Sequence, residues 1–155
     1  LIGIDIVEAG IELARKKGFN ALVVDLNAGI LPFPDDHFDG ITFLAVLEHI
    51  FDPYSIIREI RRVLRPGGIL VIDVPNVASV TNRARILLGR IPVTSHDSGW
   101  DGGHLHYFTK HALDRFLRDE GFEVLTRKTT GGLSQLREWW ISLLGGELIY
   151  LCTRR

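Results

Sequence analysis

The sequence of 155 residues has no methionine, a single cysteine and no long hydrophobic run. One cysteine cannot form an internal disulfide, so a scaffold held by intrachain disulfides is excluded, and Cys152 in its apolar surroundings is typical of a small buried side chain. No stretch has the length of a membrane span, and no charged start followed by an apolar stretch suggests a signal peptide. These absences predict a cytoplasmic protein with no integral membrane segment.

Neither sign of charge is in excess, because 18 Lys and Arg stand against 19 Asp and Glu, for a formal net charge of −1. Proteins that bind a nucleic-acid backbone carry a basic surface. We therefore expect no nucleic-acid partner. With 46% hydrophobic residues, the chain has the length and composition of one globular domain with one core. We predict a single domain over residues 1–155.

The missing methionine also bears on the start of the chain, which opens on Leu1-Ile2-Gly3-Ile4-Asp5. This pattern is typical of the middle of a strand. We expect the domain to be incomplete at its N-terminal side, with one strand missing.

Apolar strand patterns alternate with helix patterns along the chain, and Pro or Gly marks several of the boundaries. The predicted strands are 1–6, 21–25, 38–44, 69–74, 122–129 and 147–153, and the predicted helices are 8–17, 53–65, 79–88 and 109–120. Such alternation predicts an α/β fold, a Rossmann-like doubly wound and mostly parallel sheet with helices on both faces. The last two strands could also pair in antiparallel fashion through a short connection.

Two acidic residues, Asp5 and Asp25, end the first two predicted strands. In doubly wound sheets, ligands bind beyond the carboxyl ends of the strands. The carboxylate of Asp5 can accept hydrogen bonds from both hydroxyls of a ribose. The carboxylate of Asp25 can accept a hydrogen bond from the exocyclic amine of an adenine. Either acid alone could instead cap a helix or be solvated. Two of them at successive strand ends favour a nucleotide-like ligand.

Several segments in order resemble the class I S-adenosylmethionine-dependent methyltransferases, in the small-molecule branch of types 11 and 23. They are Gly3-Ile4-Asp5-Ile6, Val24-Asp25, Leu31-Pro32-Phe33-Pro34-Asp35 with Phe38-Asp39, Leu47-Glu48-His49, and Arg62-Val63-Leu64-Arg65-Pro66-Gly67-Gly68. The resemblance implies methyl transfer from S-adenosylmethionine, with S-adenosylhomocysteine as the product, and a sheet that ends in a reversed strand at 147–153. The glycine-rich loop of this family would lie upstream of Leu1, because the ribose-binding acid follows such a loop by about 20 residues in dinucleotide folds.

The same resemblance implies a set of cofactor-binding residues. Asp5 would hold the ribose and Ile6 would pack on the adenine, which Asp25, Leu26 and Asn27 would fix. Leu44, Ala45 and His49 would flank the methionine end of the cofactor.

The long connection 91–108 carries the candidate catalytic residues, His104 and His106. Long loops of this kind are often functional, and Gly103-His104-Leu105-His106-Tyr107-Phe108-Thr109 resembles a family segment that borders the acceptor pocket. An imidazole titrates near neutral pH and can take the proton of a hydroxyl acceptor, although both histidines could also simply pack the loop. We predict no metal, because two histidines supply only part of a zinc site.

The predicted function is therefore S-adenosylmethionine-dependent methyl transfer to a small-molecule acceptor, at oxygen. The alternatives are a non-catalytic methyltransferase-like binding or regulatory module and an NAD-dependent oxidoreductase, since an acid after the second strand also suits NAD. An apolar stripe at helical spacing is more often core than function, but if exposed it would suit a lipid-like acceptor or a second subunit in a homodimer. Its members are Leu133, Leu136, Trp139, Trp140, Leu143 and Leu144.

Overall fold

The computed structural model describes residues 1–96, 99–130 and 139–155. The strands in these ranges are β1 (Gly3–Asp5), β2 (Ala21–Val23), β3 (Phe38–Leu44), β4 (Leu64–Pro75), β5 (Phe122–Lys128) and β6 (Glu147–Arg154). The helices are α1 (Glu8–Lys16), α2 (Pro53–Val63), α3 (Val80–Leu87), α4 (Lys110–Asp119) and α5 (Ile141–Leu144). The alternation of strands and helices confirms the predicted α/β class.

The strands form a parallel pair, β1 with β2, and a four-stranded sheet in the order β3-β4-β6-β5. Strands β3 and β4 run parallel, whereas β6 is antiparallel to both of its neighbours. The reversed C-terminal strand confirms the prediction. Among the described residues, no helix is both long enough and apolar enough to cross a membrane.

The core lies between the four-stranded sheet and α2 and α4. Leu70, Ile72 and Val74 of β4 are fully buried and alternate with half-buried residues, so one face of this strand is packed more deeply than the other. Burial of each such side chain stabilises the fold by about 1.5–3 kcal/mol. Cys152 is also buried, and burial raises the pKa of its thiol to about 12, which leaves it unreactive.

Strand β4 starts earlier than predicted, because Leu64 already pairs with Phe38. The register shifts between this pair and the next one, Gly40 with Ile69. The helix therefore ends at Val63 rather than at residue 65, and residues 66–68, predicted as the turn after it, are an irregular stretch within the strand. The two-residue pattern of a strand does not extend through a Pro-Gly-Gly segment, so no local signal predicts a strand there.

Side chains cap two of the five described helices, α2 and α4. The Asp52 carboxylate accepts hydrogen bonds from the backbone N–H groups of Tyr54 and Ser55, and the Thr109 hydroxyl accepts one from Ala112 N–H. Ser79 precedes α3 as predicted, but its side chain makes no capping bond, because its hydroxyl lies 3.1 Å from that of Thr81.

One arginine of α2 holds the loop that follows β2. The guanidinium of Arg62 donates to the carbonyls of Leu31 and Phe33 and forms ion pairs with Glu59 and Asp35. The bond from Arg62 lowers the pKa of Glu59, which in turn accepts a hydrogen bond from Leu31 N–H. The Leu31-Pro32-Phe33-Pro34-Asp35 segment is thus fixed against α2.

A groove of about 830 Å³ separates the two sheets. One wall is formed by residues 1–4 at the edge of β1, the other by residues 39–44 of β3, and the apolar side chains of Ile56, Ile60 and Val63 close it toward α2. Within the described residues, the facing edges of β1 and β3 are not hydrogen-bonded to any strand.

The described residues contain only part of the apolar stripe predicted near the C-terminus. Leu133 and Leu136 lie outside the described residues. Trp139 is 82% exposed and Trp140 is 50% exposed, whereas Ile141 beside them is buried. A homodimer contact here stays a prediction.

Candidate functional site

The parallel pairing of β1 and β2 brings the two predicted acids to one edge of the sheet. Asp5 pairs with Val23, and Val24 N–H donates to the Asp5 carbonyl at 2.9 Å, so Asp5 and Asp25 end neighbouring strands on the same side. The Oδ1 atom of Asp5 accepts Val7 N–H at 2.8 Å, and Oδ1 of Asp25 accepts Asn27 N–H at 2.9 Å. Each acid therefore orders its own loop, but only Asp25 is a cap, of the short 3₁₀ turn Leu26–Ala28, whereas the N-cap residue of α1 is Val7.

These bonds use only one oxygen of each carboxylate. Within residues 1–96, 99–130 and 139–155, no hydrogen bond engages Oδ2 of Asp5 or Oδ2 of Asp25. Both side chains are exposed, as are Ile6 and Asn27, and Leu26 is half-buried. The capping role and a ligand-binding role are thus compatible in the same residues.

Asn27 connects the edge of β2 to the segment that follows β3. Its side-chain oxygen accepts a hydrogen bond from Phe51 N–H at 2.9 Å. Phe51 comes two residues after the short 3₁₀ turn Leu47–His49. The predicted adenine-binding segment is therefore tied to the predicted methionine-end segment.

The end of β3 carries backbone strain. Ala45 has a φ of +52°, a left-handed conformation that costs a residue with a Cβ atom about 1–2 kcal/mol, and its N–H donates to the Asp73 carbonyl. Leu44, Ala45 and His49 are all exposed. Non-glycine residues in this conformation cluster at functional sites, which supports a site at this strand end.

The loop with the candidate catalytic histidines folds over the turn after β3. Leu105 N–H and His106 N–H both donate to the Glu48 carbonyl, at 2.8 and 3.1 Å. The rings of His49 and His104 meet edge to face with centroids 4.7 Å apart, and His49 Nδ1 lies 3.3 Å from the Gly103 carbonyl. Segments about 55 residues apart in sequence thus form one site.

Asp101 is the centre of this loop. Its carboxylate accepts the backbone N–H groups of Thr94 and Ser95, each at 2.8 Å, and the Thr94 hydroxyl at 2.5 Å. Burial opposes ionisation of Asp101, but these hydrogen bonds outweigh it and lower its pKa. The Thr94 oxygen lies 2.7 Å from His104 Nδ1. A chain of contacts from Asp101 through Thr94 therefore orients the imidazole of His104.

Glu48 and Asp73 add buried carboxylates beneath the loop. Glu48 is 1% exposed, and its Oε1 lies 3.9 Å from His104 Nε2. Burial raises the pKa of Glu48. Burial, together with repulsion from Glu147 and Glu48, raises the pKa of Asp73 to about 6. Glu48 Oε2 and Asp73 Oδ1 are buried without a hydrogen-bond partner among the described residues.

Glu48, Asp73, Thr94 and Asp101 are not among the site residues that the sequence predicts. Glu48 stands next to a predicted cofactor residue, but nothing local distinguishes a buried acid from a surface one. Asp101 could have been singled out from the sequence, because an acid followed by two glycines is typical of a tight loop. Among the two predicted catalytic histidines, His104 is buried and His106 is half-buried.

Comparison with known proteins gives a family for this arrangement. A family model described as a methyltransferase domain matches residues 1–127. A ubiquinone/menaquinone biosynthesis C-methyltransferase of Shewanella sediminis is 47% identical over 68 residues, which cover 43% of this chain and 27% of that protein. A protein of Mycolicibacterium smegmatis named a probable S-adenosylmethionine-dependent methyltransferase is 30% identical over 124 residues, 80% of this chain and 44% of that protein. The chain thus spans less than half the length of these relatives.

Solved structures agree on the fold. An S-adenosylmethionine-dependent methyltransferase of Thermotoga maritima superposes with a TM-score of 0.69 at 20% identity, covering 99% of this chain and 72% of that one. An S-adenosylmethionine-dependent methyltransferase of Mesorhizobium loti gives a TM-score of 0.67 at 16% identity, covering 99% and 79%.

Proposed function

This chain belongs to the class I S-adenosylmethionine-dependent methyltransferase family, and from this premise we propose that the protein methylates a small-molecule acceptor at oxygen. The observation that carries the proposal is that Asp5 and Asp25 follow neighbouring parallel strands and that Asn27, by its hydrogen bond from Phe51, joins them to the turn after β3, beside the strained Ala45 and the histidine loop. Membership of this family also favours S-adenosylmethionine over NAD as the ligand of the strand-end acids.

The residues present suit the adenosine part of the cofactor. Oδ2 of Asp5 has no partner among the described residues and would accept the ribose hydroxyls, with Ile6 packing on the adenine. Oδ2 of Asp25 would accept a hydrogen bond from the exocyclic amine of the adenine, and Leu26 and Asn27 would hold the adenine ring in place. Leu44, Ala45 and His49 would flank the methionine end. When bound, S-adenosylmethionine supplies an activated methyl group on a sulfonium and leaves as S-adenosylhomocysteine.

The protein's own contribution to methyl transfer is positioning. The acceptor oxygen must attack the methyl carbon in line with the bond to sulfur, so alignment and exclusion of water supply much of the rate. We assign His104 and His106 the uptake of the hydroxyl proton as the oxygen attacks. The loop that carries them is held over the turn Leu47–His49 by the two bonds to the Glu48 carbonyl, which supports this assignment.

A second acceptor chemistry is suggested by a relative's name. The Shewanella sediminis relative is named a C-methyltransferase, and carbon is therefore the alternative acceptor atom. The full-length protein, supplied with ¹³C-methyl-labelled S-adenosylmethionine and a panel of phenols and hydroquinones, distinguishes the two by NMR of the product. We expect a methoxy carbon signal. A signal of a methyl group bonded to carbon would show that the acceptor atom is carbon and not oxygen. If no acceptor gives a labelled product, the protein is better explained as a non-catalytic module.

The groove between β1 and β3 supports our expectation that residues 1–155 are not the whole domain. We propose that an extended segment from outside these residues fills it as a parallel strand, because both facing edges present unpaired backbone groups over an apolar floor. In the full-length protein, the groove-facing amides of β1 and β3 should then be protected from hydrogen exchange. Rapid exchange of these amides, with the β4 amides protected, would contradict the proposal.

A further inference from the structure

We propose that Glu48, His49 and His104 bind a divalent transition-metal ion, for which zinc is the best match. One potential ligand atom of each side chain lies within 4.8 Å of the other two. Tetrahedral zinc with ligand distances of about 2.1 Å needs ligand atoms roughly 3.4 Å apart. Small side-chain rotations, above all of the exposed His49, close that difference.

The hydrogen bonds around His104 prepare one nitrogen for a metal. The Thr94 hydroxyl donates its proton to Asp101, so its oxygen accepts from His104 Nδ1, which therefore carries the ring proton. The lone pair of the imidazole is then on Nε2, the nitrogen that faces Glu48 Oε1 at 3.9 Å. Metal-binding histidines are commonly oriented by an outer partner of this kind.

The carboxylates supply an independent argument for a cation. Glu48 Oε2 is buried with no hydrogen-bond partner among the described residues, and so is Asp73 Oδ1. A buried charge needs a partner, and a cation between Glu48 and the histidines would provide one.

Two imidazoles and one carboxylate form a known ligand set of catalytic zinc sites. Three protein ligands leave one position open, as in catalytic zinc sites. The prediction of no metal rests on His104 and His106 alone. In the structure, Glu48 and His49 from the turn after β3 lie beside His104 and complete a set of three ligands. If the proposed function holds, the open position would take an oxygen of the acceptor, and His106 alone would take its proton, because the metal occupies the lone pair of His104. That last step rests on the proposed function, but metal binding does not.

The test uses the full-length protein freed of metal with a chelator and titrated with zinc in competition with a chromogenic chelator. We expect one equivalent of zinc, and we expect cobalt to give the visible absorption of a tetrahedral site. Glu48→Gln and His49→Ala should each weaken zinc binding by about 100-fold or more, since even changes in the outer shell cost about 10–100-fold. His106→Ala, in the same loop but outside the cluster, should leave zinc affinity unchanged.

Absence of stoichiometric zinc binding would overturn the proposal, and so would wild-type affinity in His49→Ala. His49 is exposed, so this variant remains informative if Glu48→Gln fails to fold. Binding of S-adenosylhomocysteine is measured on the same samples. Normal binding of that ligand without zinc binding would remove the metal and leave the proposed function in place.

Discussion

Asp5→Asn and Asp25→Asn should each weaken binding of S-adenosylhomocysteine to the full-length protein by roughly 10- to 150-fold. Hydrogen bonds to a charged group contribute about 1.5–3 kcal/mol, and an amide group loses the charge and half of the accepting capacity. Asparagine caps as well as aspartate, so the bonds to Val7 and Asn27 should survive the change. Isothermal titration calorimetry gives the dissociation constants.

The control for charge is Asp119→Asn, at the exposed end of α4, where the carboxylate forms an ion pair with Arg115. It should leave the affinity unchanged. If Asp5→Asn and Asp25→Asn both bind like the wild type while folding normally, the two acids serve only to order their own loops.

The second large effect is expected on turnover. His104→Ala and His106→Ala, made separately, should lower kcat while sparing the affinity for S-adenosylhomocysteine, because a general base contributes about 10²- to 10⁴-fold and does not touch the adenosine. The two histidines differ in burial, so His104→Ala should also lower the melting temperature through the loss of its contact with Thr94. Steady-state kinetics and thermal unfolding measure the two effects.

His111→Ala is the matched control, since His111 is an exposed imidazole on α4. Its kcat should equal that of the wild type. Unchanged turnover in both His104→Ala and His106→Ala would remove both residues from the mechanism.

The fold followed from the sequence because its signals are local. The predicted strand 38–44 coincides with β3, and the helix predicted from Pro53 begins there, since Asp52 and Pro53 form a cap and a first helical residue. The irregular start of β4 was missed, because its pairing with Phe38 depends on a neighbouring strand. Local patterns predict elements well and their ends less well.

The site followed from the sequence only in part. Asp5 and Asp25 could be placed together, because parallel strands end at the same edge of a sheet. The approach of His104 to Glu48 and His49 could not, since the loop reaches the turn after β3 through backbone bonds from Leu105 and His106 that no spacing encodes. The family resemblance suggested the segments, and the tertiary fold determines which side chains meet.

The most direct test of the account is a crystal structure of the full-length protein with S-adenosylhomocysteine. We expect the ribose hydroxyls to hydrogen-bond to Asp5 and the adenine to lie between Ile6 and the segment Asp25–Asn27. The homocysteine end should reach Leu44, Ala45 and His49. Adenosine bound away from Asp5 and Asp25, for example in the small polar pocket between Asn76 and Thr94, would contradict it.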